Sequence, residues 1–224
     1  VDAVKDARAG GDAALVLDGS NVTVHNTADS EYSDYTGLSH GAPNGVDNGG
    51  GDQALYPFGK LQVNDGYYLL GEGEAINFRD EAPGIIEVNG GTLEANQIAI
   101  SSSASNGDFA YIQTGGSVYL NAAYGADGNN AMLNLDQTNM NFTMTGGDLH
   151  ITNTIGHTPN AVHIASSEGN YNVTGGTLHL DASAEMTVQS TAPFYDVIIY
   201  GGSTLTLLEN VKALGDLTIQ DGAT

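Results

Sequence analysis

The chain has 224 residues, enough for one sizeable core or for a stack of about seven or eight short coils. Its 27 acidic and 5 basic residues give a net charge of −22, a field that repels nucleic acid, anionic lipid and acidic polysaccharide. No cysteine is present, so there is no disulfide framework or thiolate site, and no apolar run approaches the ~18 residues of a membrane span; neither a nucleic-acid partner nor membrane insertion is expected.

Residues 1–14 are the only stretch suited to a short helix, because β-branched residues, Asn and Gly disfavour helix elsewhere. Residues 14–24 (ALVLDGSNVTV) read as two strands around a turn. From about 25 to 53 the chain is Gly-rich and acidic, a loop of a length usually functional or disordered. Residues 61–78 (LQVNDGYYLLGEGEAINF) read as two or three further strands. An irregular N-terminal part, 1–84, is thus expected to precede a regular part, 85–224.

The regular part carries five Gly-Gly pairs between apolar-alternating runs: IIEVNGGTLEA (85–95), AYIQTGGSVYL (110–120), NFTMTGGDLHI (141–151), NYNVTGGTLHL (170–180) and DVIIYGGSTLTL (196–207). The first glycines, Gly90, Gly115, Gly146, Gly175 and Gly201, are 25, 31, 29 and 26 residues apart. Aligned on them, Ile86, Tyr111, Phe142, Tyr171 and Val197 share one column and Val88, Gln113, Met144, Val173 and Ile199 a second. After the pair come Leu93, Val118, Leu149, Leu178 and Leu205, then Ala95, Leu120, Ile151, Leu180 and Leu207. Period-two alternation makes these strands with the named residues inward, so Glu94, Tyr119, His150, His179 and Thr206 face outward. The glycine pair is a corner, made by a sharp bend or a positive φ. Gln113, polar in an apolar column, is expected to hydrogen-bond inside the core or mark a bulge.

A third alternating run follows in each coil: Ile98/Ile100, Leu133/Leu135, Val162/Ile164 and Met186/Val188. Turn-rich inserts at 121–130 (NAAYGADGNN) and 153–160 (NTIGHTPN) belong on the surface. Three short strands per coil of 25–31 residues predict an all-β right-handed parallel β-helix, a solenoid with three stacked sheets. Nothing at the C-terminal end reads as a polar cap, so the chain is expected to be a piece of a longer protein.

These glycine-pair coils, with closing phrases such as GDLTIQDGAT (215–224), resemble the right-handed parallel β-helix regions of large bacterial surface proteins, those of Bacteroidetes above all. The resemblance covers roughly residues 85–224. It implies export, adhesion or filament formation, a place at the bacterial cell surface or in the medium, and the type IX secretion machinery as a partner.

Chemistry is harder to find. Asp29, Glu31 and Asp34 crowd one side of the long loop, and Asp47, Asn48 and Asp52 the other, among glycines that free backbone carbonyls. Hard oxygen donors on a loop suit Ca²⁺, the cofactor this segment would take; the plainer reading is a solvated acidic loop without EF-hand spacing. Tyr32 and Tyr35 bracket that acidic run and would either stack on neutral sugars, making cell-surface glycans a partner, or pin the loop to the coils. His150 and His179 occupy equivalent outward positions, about 5 Å apart if the coils are in register, as a metal-binding pair or a solvated ladder. His163, on the third run, is expected to face elsewhere. A uronate lyase needs Lys or Arg, and only Lys60 and Arg79 lie away from the termini, isolated in an acidic field. Most Asp residues sit beside Gly or Asn, where turns place them, so no catalytic residue is assigned.

The leading expectation is a structural segment of an exported cell-surface or filament-forming protein: a stalk, adhesin or secretion cargo that is not an enzyme. Its partners would be further coils of the same chain or neighbouring copies of itself. The alternative is a carbohydrate-active β-helix, hydrolase or lyase, or a sugar-binding module without turnover.

Overall fold

A computed structural model describes residues 14–17, 23–26, 38–40, 54–57, 60–70, 75–78, 84–100, 109–121, 131–153, 160–181 and 185–224. Among them every regular element is a strand. The strands form two sheets, one of twelve and one of eight, and all pair in parallel except one short contact. The expected helix at 1–14 and the inserts at 122–130 and 154–159 lie outside the described residues, although Ala14 itself starts a strand, Ala14–Leu17.

The larger sheet contains two ladders. Before the glycine pair, Ala14–Leu17, Lys60–Val63, Gly84–Val88 and Phe109–Gln113 pair in turn. After it, Thr23–Asn26, Tyr67–Leu70, Thr92–Ala95 and Ser117–Asn121 do the same. The expected columns form: Ile86, Tyr111, Phe142 and Tyr171 share one register, and Leu93, Val118, Leu149 and Leu178 another. Pairing runs through position 84 without a break, Leu61 lying beside Ile86 and Val63 beside Val88.

The next two rungs depart from three separate strands. Asn141–Asn153 and Tyr171–Leu180 each cross the glycine pair as one strand, with register shifts between Met144 and Asp148. A bulge takes up the corner without ending the hydrogen-bonded run. The local demand on glycine is clear at Gly146 and Gly147. A Cβ on Gly146 would stand 2.5 Å from the Thr114 carbonyl oxygen of the neighbouring rung. Gly147 has φ +80°, and a Cβ there would meet the Gly115 oxygen at 2.5 Å. Close rung-to-rung approach excludes a side chain at the first glycine; handedness and approach both exclude it at the second.

The eight-stranded sheet stacks Ala54–Pro57, Ala75–Phe78, Gln97–Ile100, Leu133–Leu135, Asn160–Ile164, Glu185–Ser190 and Thr204–Leu207. Its far edge is Leu38–His40, antiparallel to Ala54–Pro57. This strand falls inside the stretch expected to be loop, 25–53, into which Thr23–Asn26 also extends. It gives a partner to one side of the Ala54–Pro57 strand, which would otherwise be a free edge. Alignment in this sheet also corrects one expected pairing: Val188 lies beside Val162 and Ser190 beside Ile164, after a shift next to Asn160.

The core lies between the ladders. Phe78 and Phe109 pack with centroids 5.3 Å apart, and Tyr111 stacks on Phe142 at 5.7 Å. Gln113 is fully buried and satisfied, as one of its two expected roles required. Its carbonyl accepts from Tyr111 Oη at 2.8 Å and its amide donates to the Asp148 carbonyl at 3.0 Å.

The fifth glycine pair does not occupy the column assigned to it. Val197 and Ile199 pair with Leu178 and Leu180, not with Tyr171 and Val173. Leu205 and Leu207 pair with Met186 and Val188 in the other sheet. Gly201-Gly202 therefore turns the chain from the post-glycine ladder into the eight-stranded sheet. The reason lies at Ala192-Pro193-Phe194. Proline has no N–H to give a ladder, and Phe194, fully buried, stands edge-on to Phe142 at 6.3 Å. The segment fills the pre-glycine side with a side chain, and its backbone makes only an isolated parallel bridge, Phe194 to Ala213, in place of a strand.

Candidate functional site

Outward positions of the post-glycine ladder line up as Glu94, Tyr119, His150, His179 and Ile198. Thr206, expected at the end of this column, instead pairs with Thr187 in the eight-stranded sheet, a consequence of the shifted last coil. The rings form a continuous stack. Tyr119 and His150 lie 4.4 Å apart at 9°, and His150 and His179 lie 4.1 Å apart at 16°. Parallel pairing at strand spacing forces this contact, since identical positions on adjacent rungs are separated by little more than an aromatic thickness.

Beside the stack stands Asp148, in the strand that carries His150 and two residues before it. Its Oδ1 lies 2.9 Å from Nε2 of His179 on the next rung. The other nitrogen of that ring, Nδ1, is 3.0 Å from the Tyr200 hydroxyl. With Nε2–H donating to the carboxylate, Nδ1 accepts from Tyr200. His179 is thereby fixed at both ends while its face rests on His150. Asp148, His150 and His179 bring one donor atom each within 4.8 Å of one another. Burial lowers the proton affinity of His150, and the neighbouring His179 lowers it further, against the opposing pull of Asp148 and Asp181.

Further along the same face Tyr67 donates to Glu94 Oε2. Burial first, and then this bond to a carboxylate, push its hydroxyl up to about 12. On the pre-glycine ladder Lys60 Nζ lies 2.5 Å from Glu87 Oε2, and this bond holds the Glu87 carboxyl below its ordinary range. Lys60 is committed to that pair. Arg79, the other basic candidate, lies outside the described residues, as do Asp29, Glu31, Asp34, Asp47 and Asp52 of the expected Ca²⁺ loop and its Tyr32 and Tyr35. His163 stands in the eight-stranded sheet, away from the ring stack, with Asp136 Oδ1 at 3.6 Å.

The residue missed by sequence reasoning is Asp148. Its signal was present, because residues two apart in a strand share a face and Asp-Leu-His therefore puts a carboxylate beside an imidazole. Tyr200 had no such signal: it reaches His179 only because the last coil is shifted. Comparison with protein-family models, curated proteins and solved structures finds no match. Among the described residues no helix is long and apolar enough to cross a membrane.

Proposed function

We propose that the chain is a right-handed parallel β-helix serving as a structural segment of an exported bacterial cell-surface or filament-forming protein. Right-handedness follows from the strong preference of parallel crossovers for that hand. The observation that carries the structural reading is the stack itself: parallel rungs repeat along the chain, and residues at matching inward positions, Leu93, Val118, Leu149 and Leu178 among them, lie side by side and buried. Residue types repeated from rung to rung serve packing, which is what a structural solenoid asks of its sequence. The exposed apolar edge of Leu217 and Ile219 offers a place where a neighbouring copy would pair. The charge of −22 opposes association of copies at low salt and keeps the lateral surface soluble.

The role is that of a stalk, adhesin or secretion cargo, with stacking as its working interaction. The engagement of Lys60 by Glu87 weighs against a lyase that would use Lys60 as its base. Sedimentation from micromolar to millimolar protein, at low and high salt, tests the reading. Association that strengthens with salt and disappears in Leu217→Lys/Ile219→Lys is expected. A monomer at every concentration and salt, or turnover of a polysaccharide panel with release of reducing ends or unsaturated uronates, would overturn it.

A further inference from the structure

We infer that Asp148, His150 and His179 form a site for a divalent transition-metal ion, with zinc as the reference ion, that clamps the strands Asn141–Asn153 and Tyr171–Leu180 across their outward face. The inference does not rest on the proposed function. Three features carry it. The donor atoms already lie within 4.8 Å of one another on two paired strands. The set is two imidazoles and one carboxylate, which suits zinc and its neighbours; Ca²⁺ and Mg²⁺ take oxygen ligands. The Tyr200 hydroxyl at 3.0 Å from His179 Nδ1 is the outer partner that a metal-binding imidazole requires.

Ligands at zinc distances span tetrahedron edges of about 3.3 Å, so donors now up to 4.8 Å apart must close. The two imidazoles, stacked 4.1 Å apart at 16°, must also tilt out of their stack so that both ring nitrogens point at one ion. His150 and Asp148 are only partly buried and turn about their side-chain bonds to do so. The carboxylate exchanges its bond with His179 Nε2 for a bond to the ion. The imidazole proton of neutral His179 moves from Nε2 to Nδ1, where Tyr200 changes from donor to acceptor. No proton is gained or lost in that tautomer change, and a water would complete four-coordination. The ion also introduces positive charge into a strongly acidic chain, which favours its capture.

Zinc titration by calorimetry, in excess Ca²⁺ and Mg²⁺ to occupy unspecific carboxylates, tests the site. One equivalent is expected, with affinity at least tenfold weaker in His150→Gln and in Asp148→Asn, and an intermediate loss in Tyr200→Phe. Ring-nitrogen NMR of the unmodified chain identifies the ligands without any variant: His150 and the Nε2 of His179 should shift at one equivalent, with His25, His40, His157 and His163 unmoved. Cobalt should give the visible absorption of a four-coordinate centre. Binding that Ca²⁺ displaces, zinc shifts confined to other histidines, or an affinity unchanged in His150→Gln would overturn the inference.

Discussion

Residues 84–181 and residues 185–224 are written in nearly the same alternating, Gly-Gly-punctuated pattern, yet they build different rungs. In the first region the post-glycine column advances from Leu93 to Val118 to Leu149 to Leu178, taking 25, 31 and 29 residues per step. In the second it advances from Leu178 to Val197 to Leu217, taking 19 and 20. The long rungs visit three strand positions; the short ones visit two, the third being reduced to a single parallel bridge between Phe194 and Ala213, with the Phe194 side chain filling the core there. A Gly-Gly pair therefore specifies a corner, not which corner. Column membership depends on how many residues separate one ladder from the next.

The difference should be largest at the second glycine of two apparently equivalent pairs. Gly147 and Gly202 have φ +80° and +88°, but an added Cβ meets backbone oxygen at 2.5 Å at Gly147 and nothing within 4 Å at Gly202. Gly147→Ala should cost about 3–5 kcal/mol, from the left-handed backbone plus the forced displacement of a rung. Gly202→Ala should cost about 1–2 kcal/mol, from the backbone conformation alone. Urea melts of the two variants check this; equal losses would mean that both corners are packed alike.

Leucines in the same column give a second contrast. Leu149 is fully buried and Leu217 is 57% exposed. Leu149→Ala should destabilise by about 2–5 kcal/mol, the cost of a core cavity. Leu217→Ala in the chain alone should stay within about 0.5 kcal/mol, as for an ordinary surface change. A large loss at Leu217 in a dilute sample would show that its end is already covered.

The smallest expected effect comes from the pair that ties Lys60–Val63 to the first rung of the long-step region. The Glu87 carboxyl is held below its ordinary value by Lys60, so its contribution is present at neutral pH and above. It is lost as pH falls through the carboxylate range, when the folded-state group finally protonates. At a partly exposed pair the contribution is at most about 1 kcal/mol. Lys60→Met should lower stability at neutral pH by up to that amount, with the difference between the two proteins vanishing as pH falls through the carboxylate range. An acid limb identical in both proteins would assign it to other carboxylates.

Much of this architecture is legible residue by residue. Period-two alternation around Gly90, Gly115, Gly146 and Gly175 identifies strands, inward positions and corners, because side-chain direction along a strand is a local property. The same alternation sets His150 beside His179 once the coils are in register. It also made Gln113 conspicuous as a polar residue in need of partners. The long stretch at 25–53 concealed Leu38–His40, since a three-residue strand carries too few positions to show a period.

The sequence by itself determined an all-β chain with paired apolar columns, glycine corners and an outward imidazole pair, since each follows from steric rules acting over a few residues. Only the tertiary structure decided that Val197 lies beside Leu178, that Phe194 replaces a strand, and that Asp148 and Tyr200 meet His179 from two different rungs. Those contacts depend on register between segments about 20 to 30 residues apart, and register is set by the packing and hydrogen bonding of the whole stack.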